Sequence, residues 1–113
     1  MSITISGKDF KLDEALKVYI TKKVEKIDQL LPGVPTKIKV ELDFDHNQKT
    51  GLINRVEISV EMPGENIKAG QKAEHMREAI DLCMPKLIRQ IKKFKSSQHK
   101  SEQPGNPSIK NLD

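Results

Sequence analysis

The chain of 113 residues contains one cysteine, Cys83, and no tryptophan, and its only aromatic rings are Phe10, Tyr19, Phe44 and Phe94. A lone thiol makes an intrachain disulfide impossible and excludes a secreted, disulfide-stapled scaffold. So few rings argue against a sheet that stacks single-stranded bases. No apolar run reaches bilayer length, and the opening Met1-Ser2-Ile3-Thr4-Ile5 has no apolar signal core, so a cytoplasmic protein without membrane contact is expected. His46, His75 and His99 fall at no metal-ligand spacing and Gly64 and Gly70 at no phosphate-loop spacing, which leaves no metal, cofactor or small-molecule substrate to expect. The most informative absence is of acid: from Leu82 to Ser101 there is no Asp or Glu, but there are Lys86, Arg89, Lys92, Lys93, Lys95 and Lys100.

Those cations are threaded through an apolar repeat that includes Leu87, Ile91 and Phe94, the pattern of a helix that buries one side and offers the other as positive surface. The balance of the whole chain is milder, 20 Lys and Arg against 16 Asp and Glu for a formal charge of +4, so the one-sided segment matters more than the total. Polyanion binding is the reading that uses this feature. The bland alternative is a solvated helix face.

Ile3 and Ile5 alternate with polar neighbours and stop at Gly7, which predicts a first strand. A helix is expected from about Asp13 to Leu31 on the repeat Leu12, Ala15, Leu16, Tyr19, Ile20, Ile27 and Leu30, stopped by Pro32-Gly33. Lys37 to Asp45 alternates as a half-buried strand, and Val56, Ile58, Val60 and Met62 mark another. Pro63-Gly64 turns the chain into a weaker strand around Ile67, Ala69, Gln71 and Ala73. A last helix should run from about Glu74 to Lys95 on Met76, Ala79, Ile80, Cys83, Leu87, Ile91 and Phe94, with a kink or local break between Asp81 and Pro85. Residues 96–113, rich in Ser, Gln, Pro, Gly and Asn, read as a disordered tail after a domain of residues 1–95. The order β-α-β-β-β-α predicts an α+β two-layer sandwich, a four-stranded mixed sheet with two helices on one face.

On a helical wheel of the first helix, Lys23 falls near the middle of the apolar stripe, Lys26 near its edge and Lys22 further round. On the last helix Lys86, Arg89 and Lys93 form a stripe joined by Gln90. Helices lying side by side would set these two groups across a groove as a cationic channel for a nucleic-acid backbone, against the plainer reading that the lysines only snorkel to solvent. Enzyme readings find little. Cys83 lies on the core stripe and reads as an inert thiol, and Glu41, Asp43 and Asp45 alternate as the wet side of a strand.

Ile5-Ser6-Gly7, then Leu12-Asp13-Glu14-Ala15-Leu16 leading into Lys22-Lys23-Val24-Glu25-Lys26-Ile27, resembles the opening of the ribosome hibernation promoting factor family, also called the ribosome-associated inhibitor or sigma-modulation family. Glu74-His75-Met76-Arg77-Glu78-Ala79-Ile80-Asp81 and Lys86-Leu87-Ile88-Arg89-Gln90-Ile91-Lys92-Lys93 are similar to its closing helix almost in register, and the likeness covers about residues 2 to 95. It implies the same β-α-β-β-β-α arrangement, similar to a double-stranded RNA-binding domain with one extra leading strand. It also implies a non-enzyme that binds the small ribosomal subunit at the messenger and transfer RNA sites, silences translation in starvation or stationary phase, and is monomeric off the ribosome. Matched by position, Lys23, Lys26, Lys86, Arg89 and Lys93 would contact ribosomal RNA phosphates, with Lys22, Gln90 and Lys92 as further candidates. The chain departs from the family at Pro85 and in lacking the second domain of long members, so it reads as a short form. Two other readings stay open: a general double-stranded RNA binder, and a protein-interaction module regulating a transcription factor.

Overall fold

The computed structural model describes residues 1–8, 12–44 and 54–102. The elements are β1 (Ser2–Lys8), α1 (Glu14–Leu30), β2 (Lys37–Phe44), β3 (Asn54–Met62), β4 (Glu65–Ala73) and α2 (Met76–Glu102). They form a four-stranded sheet in the order β1-β2-β3-β4. β1 pairs parallel to β2, with Ile3 opposite Ile38 and Ile5 opposite Val40, so α1 must cross back over the sheet between them. β2, β3 and β4 form an antiparallel meander. The β2–β3 connection, read from sequence as the loop 46–51, lies outside the described residues, as do Asp45 and the tail 103–113.

Alternation decides which face is covered. Ile38, Val40 and Leu42 of β2, Val56, Ile58 and Val60 of β3 and Ile67 and Ala69 of β4 are buried, whereas Lys37, Lys39, Glu41, Arg55 and Lys68 are exposed on the other side. One face thus forms the core floor and the opposite face is open to water. The core is closed from above by Leu16, Ile20, Val24 and Ile27 of α1 and by Met76, Ala79, Ile80, Cys83, Met84, Leu87 and Ile91 of α2. Burying each of the Leu, Ile, Val and Met side chains among these contributes about 1.5–3 kcal/mol. The two-layer α+β sandwich is the predicted one. Two wheel positions differ: Ala15 is exposed, and Met84 is buried in the same core cluster.

Local chemistry sets the ends. Asp13 caps α1, its Oδ1 accepting the Leu16 N–H at 2.8 Å, and the Pro63-Gly64 turn needs the left-handed φ of +80° that Gly64 adopts. Asn54 is buried at the start of β3, and its side-chain amide donates to the Glu74 carbonyl at 2.6 Å, which fastens the chain where it enters α2. α2 begins at Met76 instead of Glu74 and continues past Lys95 to Glu102, because no glycine or proline interrupts it before Pro104 and a nucleated helix propagates cheaply. Pro85 sits within that helix without breaking it. Its missing N–H leaves the Asp81 carbonyl without the usual donor, a defect tolerated at an exposed position where water can serve the carbonyl.

Candidate nucleic-acid interface

Both helices return over the sheet in the same direction, since α1 links parallel strands and α2 follows β4, which runs parallel to β2. Their junction is built by residues four apart on each: Tyr19 and Lys23 on α1, Arg77 and Asp81 on α2. The Tyr19 hydroxyl donates to Asp81 Oδ1 at 2.5 Å, and Lys23 Nζ lies 3.2 Å from the same oxygen. Lys23 and Arg77 both sit over the Tyr19 ring, at 5.3 and 4.9 Å from its centre. The Tyr19 hydrogen bond, reinforced by Lys23 and opposed by partial burial, holds the Asp81 carboxyl below its ordinary range. Asp81 in turn raises the Lys23 ammonium and the Tyr19 phenol above theirs.

This corrects the expected channel. Lys23 does face α2, but it meets an acid there rather than a second row of cations. Lys86 and Gln90 turn the other way, over β4: Lys86 Nζ donates to Gln71 Oε1, and Gln90 Nε2 donates to the Lys68 carbonyl at 2.9 Å. Gln71 itself donates to the Lys72 carbonyl at 3.0 Å. Lys86 and Gln90 therefore occupy the flank of α2 away from α1, and the wheel sets Lys93 with them. Arg89 and Lys92 point outward between the two flanks. The two groups do not face each other across a groove.

What the structure leaves on the helical layer instead is a set of exposed cations. The side chains of Lys22 and Lys26 on α1 and of Arg89, Lys92, Lys93 and Lys95 on α2 are exposed and have no hydrogen-bond or ion-pair partner among the described residues. On the open sheet face the charges are largely matched, with Lys39 on Glu61 at 3.2 Å and Arg55 and Lys68 on Glu57 at 3.6 and 3.9 Å. Among the described residues, the unpaired cations are thus most numerous on the helical layer. Such a surface binds phosphates by displacing condensed cations, without a pocket and without bond chemistry. Leu82, 47% exposed, adds an apolar spot within it.

Residues that sequence reasoning passed over are those that organise the junction: Tyr19, Arg77, Asp81 and, on β4, Gln71. A signal was present, since Tyr19/Lys23 and Arg77/Asp81 are both i, i+4 pairs of complementary chemistry and Asp81 is the last acid before the acid-free run. Among the described residues no group of three His, Cys, Asp or Glu could hold a metal ion, and no helix is long and apolar enough to cross a membrane.

Residues 3–99 match the family model described as sigma 54 modulation protein / S30EA ribosomal protein. The chain belongs to that family. Among its relatives, the ribosome hibernation promotion factor of Deinococcus radiodurans is 30% identical over 103 residues, covering 91% of this chain and 53% of the relative. The ribosome hibernation promoting factor of Pseudomonas putida is 29% identical over 98 residues, covering 87% of this chain and 90% of the relative. The chain spans about half the length of the Deinococcus relative and nearly all of the Pseudomonas one. Among solved structures, a ribosomal subunit interface protein from Coxiella burnetii superposes with a TM-score of 0.73 at 26% identity, covering 85% of this chain and 99% of that one. The N-terminal domain of Thermus thermophilus Protein Y superposes with a TM-score of 0.71 at 25% identity, covering 83% and 99%. These two solved structures thus share the fold of this chain, and among the described residues its unpaired cations lie mostly on the exposed helical layer.

Proposed function

We propose that this protein is a ribosome hibernation factor: in stationary phase or stress it binds the small ribosomal subunit in the cytoplasm as a single copy, at the messenger and transfer RNA sites, and silences translation by occupying them. The observation that carries the reading is the concentration of unpaired cations on the helical layer of a fold shared with proteins named for ribosome hibernation and for the ribosomal subunit interface. Lys22, Lys26, Arg89, Lys92 and Lys93 are the direct phosphate contacts. Lys86 and Gln90 flank them on the side of α2 that meets β4, and Lys23 contributes only when a phosphate competes with Asp81. The mechanism is steric occlusion held by electrostatics.

Sucrose-gradient sedimentation of purified protein with small subunits tests it. Co-sedimentation should weaken steeply with salt and be lost when Lys86, Arg89 and Lys93 are changed together to Gln, and bound protein should exclude initiator transfer RNA. Equal affinity for an isolated RNA duplex and for subunits would instead identify a general double-stranded RNA binder. Retention of binding by the triple variant would show that the helical layer is not the interface.

A further inference from the structure

Pro85 breaks the local rules of a helix. It stands in the interior of α2, well past the first turn where a proline costs little, and no residue is less favourable there. Packing does not offset that cost: Pro85 is exposed, and the core contacts of this part of α2 are made by Cys83, Met84 and Leu87. A local rule broken with no gain in packing marks a candidate for function. What the proline changes chemically is one backbone group. Any other residue at this position would bond its N–H to the Asp81 carbonyl, whereas here that oxygen lacks its usual donor and can accept one from outside the chain.

The surroundings select the donor. Helix carbonyls point toward the C-terminus, so the Asp81 oxygen is aimed along α2 toward the turn that carries Arg89. Leu82, Pro85, Arg89 and Lys92 follow one another at spacings of three and four on the side opposite the buried Cys83, Leu87 and Ile91. Leu82, 47% exposed, and the Pro85 ring make an apolar step, and Arg89 and Lys92 are exposed without a partner among the described residues. The Asp81 carboxylate is committed to Tyr19 and Lys23 on the α1 side. A cationic donor from a protein would meet Arg89 and Lys92 as like charges. A nucleic-acid backbone would not, and since its phosphate oxygens only accept, the donor it presents beside them is the ribose 2′-hydroxyl. We propose that the Asp81 carbonyl, freed by Pro85, accepts the 2′-hydroxyl of a ribose whose phosphate lies on Arg89 or Lys92, which makes Pro85 a specificity residue for RNA over DNA. The proposal rests on the reading of α2 as an RNA-binding surface and adds a contact without charge to it. Phosphate contacts alone carry no such distinction between the two nucleic acids.

Pro85→Ala gives the Asp81 carbonyl its donor back and changes no charge. Affinity for purified small subunits should fall about 3- to 10-fold, the range of one neutral hydrogen bond, while the slope of log affinity against log salt stays that of the native chain. An ester variant isolates the N–H: ligation at Cys83 allows a full-length chain with lactic acid at position 85, which keeps the methyl group of alanine, lacks the N–H and should restore native affinity. At low salt, where phosphate contacts hold either strand, the native chain should prefer oligouridylate to oligodeoxyuridylate of equal length by the same factor of about 3 to 10, and Pro85→Ala should bind the two alike. Unchanged small-subunit affinity in Pro85→Ala means that water alone serves the carbonyl and overturns the proposal. An ester variant as weak as Pro85→Ala, or an RNA preference that survives Pro85→Ala, does the same. A changed salt slope overturns it too, because Pro85 would then act by redirecting Arg89 and Lys92. A native chain that does not bind small subunits overturns the reading of the protein as a hibernation factor, and this proposal with it.

Discussion

If the unpaired cations of the helical layer bind phosphates, their removal has a salt signature that a merely structural loss does not. Consider Arg89→Gln/Lys92→Gln/Lys93→Gln, three exposed changes that orphan no partner among the described residues. Each phosphate contact contributes roughly 0.7–0.9 to the slope of log affinity against log salt, so three contacts lower the slope by about 2–3. Carried from 1 M to about 0.15 M salt, that is a loss of roughly 50- to 150-fold, or about 2–3 kcal/mol. Lys23→Gln should change the slope by less than one contact, because Asp81 already holds that ammonium at 3.2 Å. Filter binding or fluorescence anisotropy with labelled small subunits over a salt series reads both numbers, and circular dichroism confirms that the variants fold. A triple variant that loses affinity with its slope unchanged refutes counterion release as the source of binding. A Lys23→Gln effect as large as the triple refutes the separation of the junction from the outward surface.

Pro85→Ala restores the N–H that the Asp81 carbonyl lacks, at an exposed site, and should raise stability by about 1–3 kcal/mol with a gain of about 4–13 °C in Tm; a fall would show that the free carbonyl is in use. Asp81, held below its ordinary range chiefly by the Tyr19 hydrogen bond, adds stability that is complete above the unfolded carboxylate range and disappears as pH falls through the lowered folded value. Denaturant midpoints of Asp81→Asn should accordingly fall less on acidification than those of the native chain, and by a small difference because the pair is partly exposed. Burial pushes the Cys83 thiol up to about 11, so alkylation near neutral pH should track unfolding in a denaturant series; rapid labelling of the native protein would contradict its place in the core.

The element order was legible because period-2 and period-3.6 apolar patterns are local properties of the chain: Ile38, Val40 and Leu42 alternate whatever they pack against. The Asp13 cap and the Pro63-Gly64 turn are local for the same reason. Composition likewise determined that phosphate contact without bond chemistry was the reading to test, because an acid-free run of cations needs no partner to be seen. Tertiary structure alone decided which way those cations point. A wheel gives an angle around one helix axis, but the parallel packing of α1 on α2 is what brings Lys23 to Asp81, and the proximity of β4 is what turns Lys86 and Gln90 away from α1. That β1 and β4 are the edges of the sheet is of the same kind. Strand order is a property of the assembled sheet, and only an edge exposes its unpaired backbone groups.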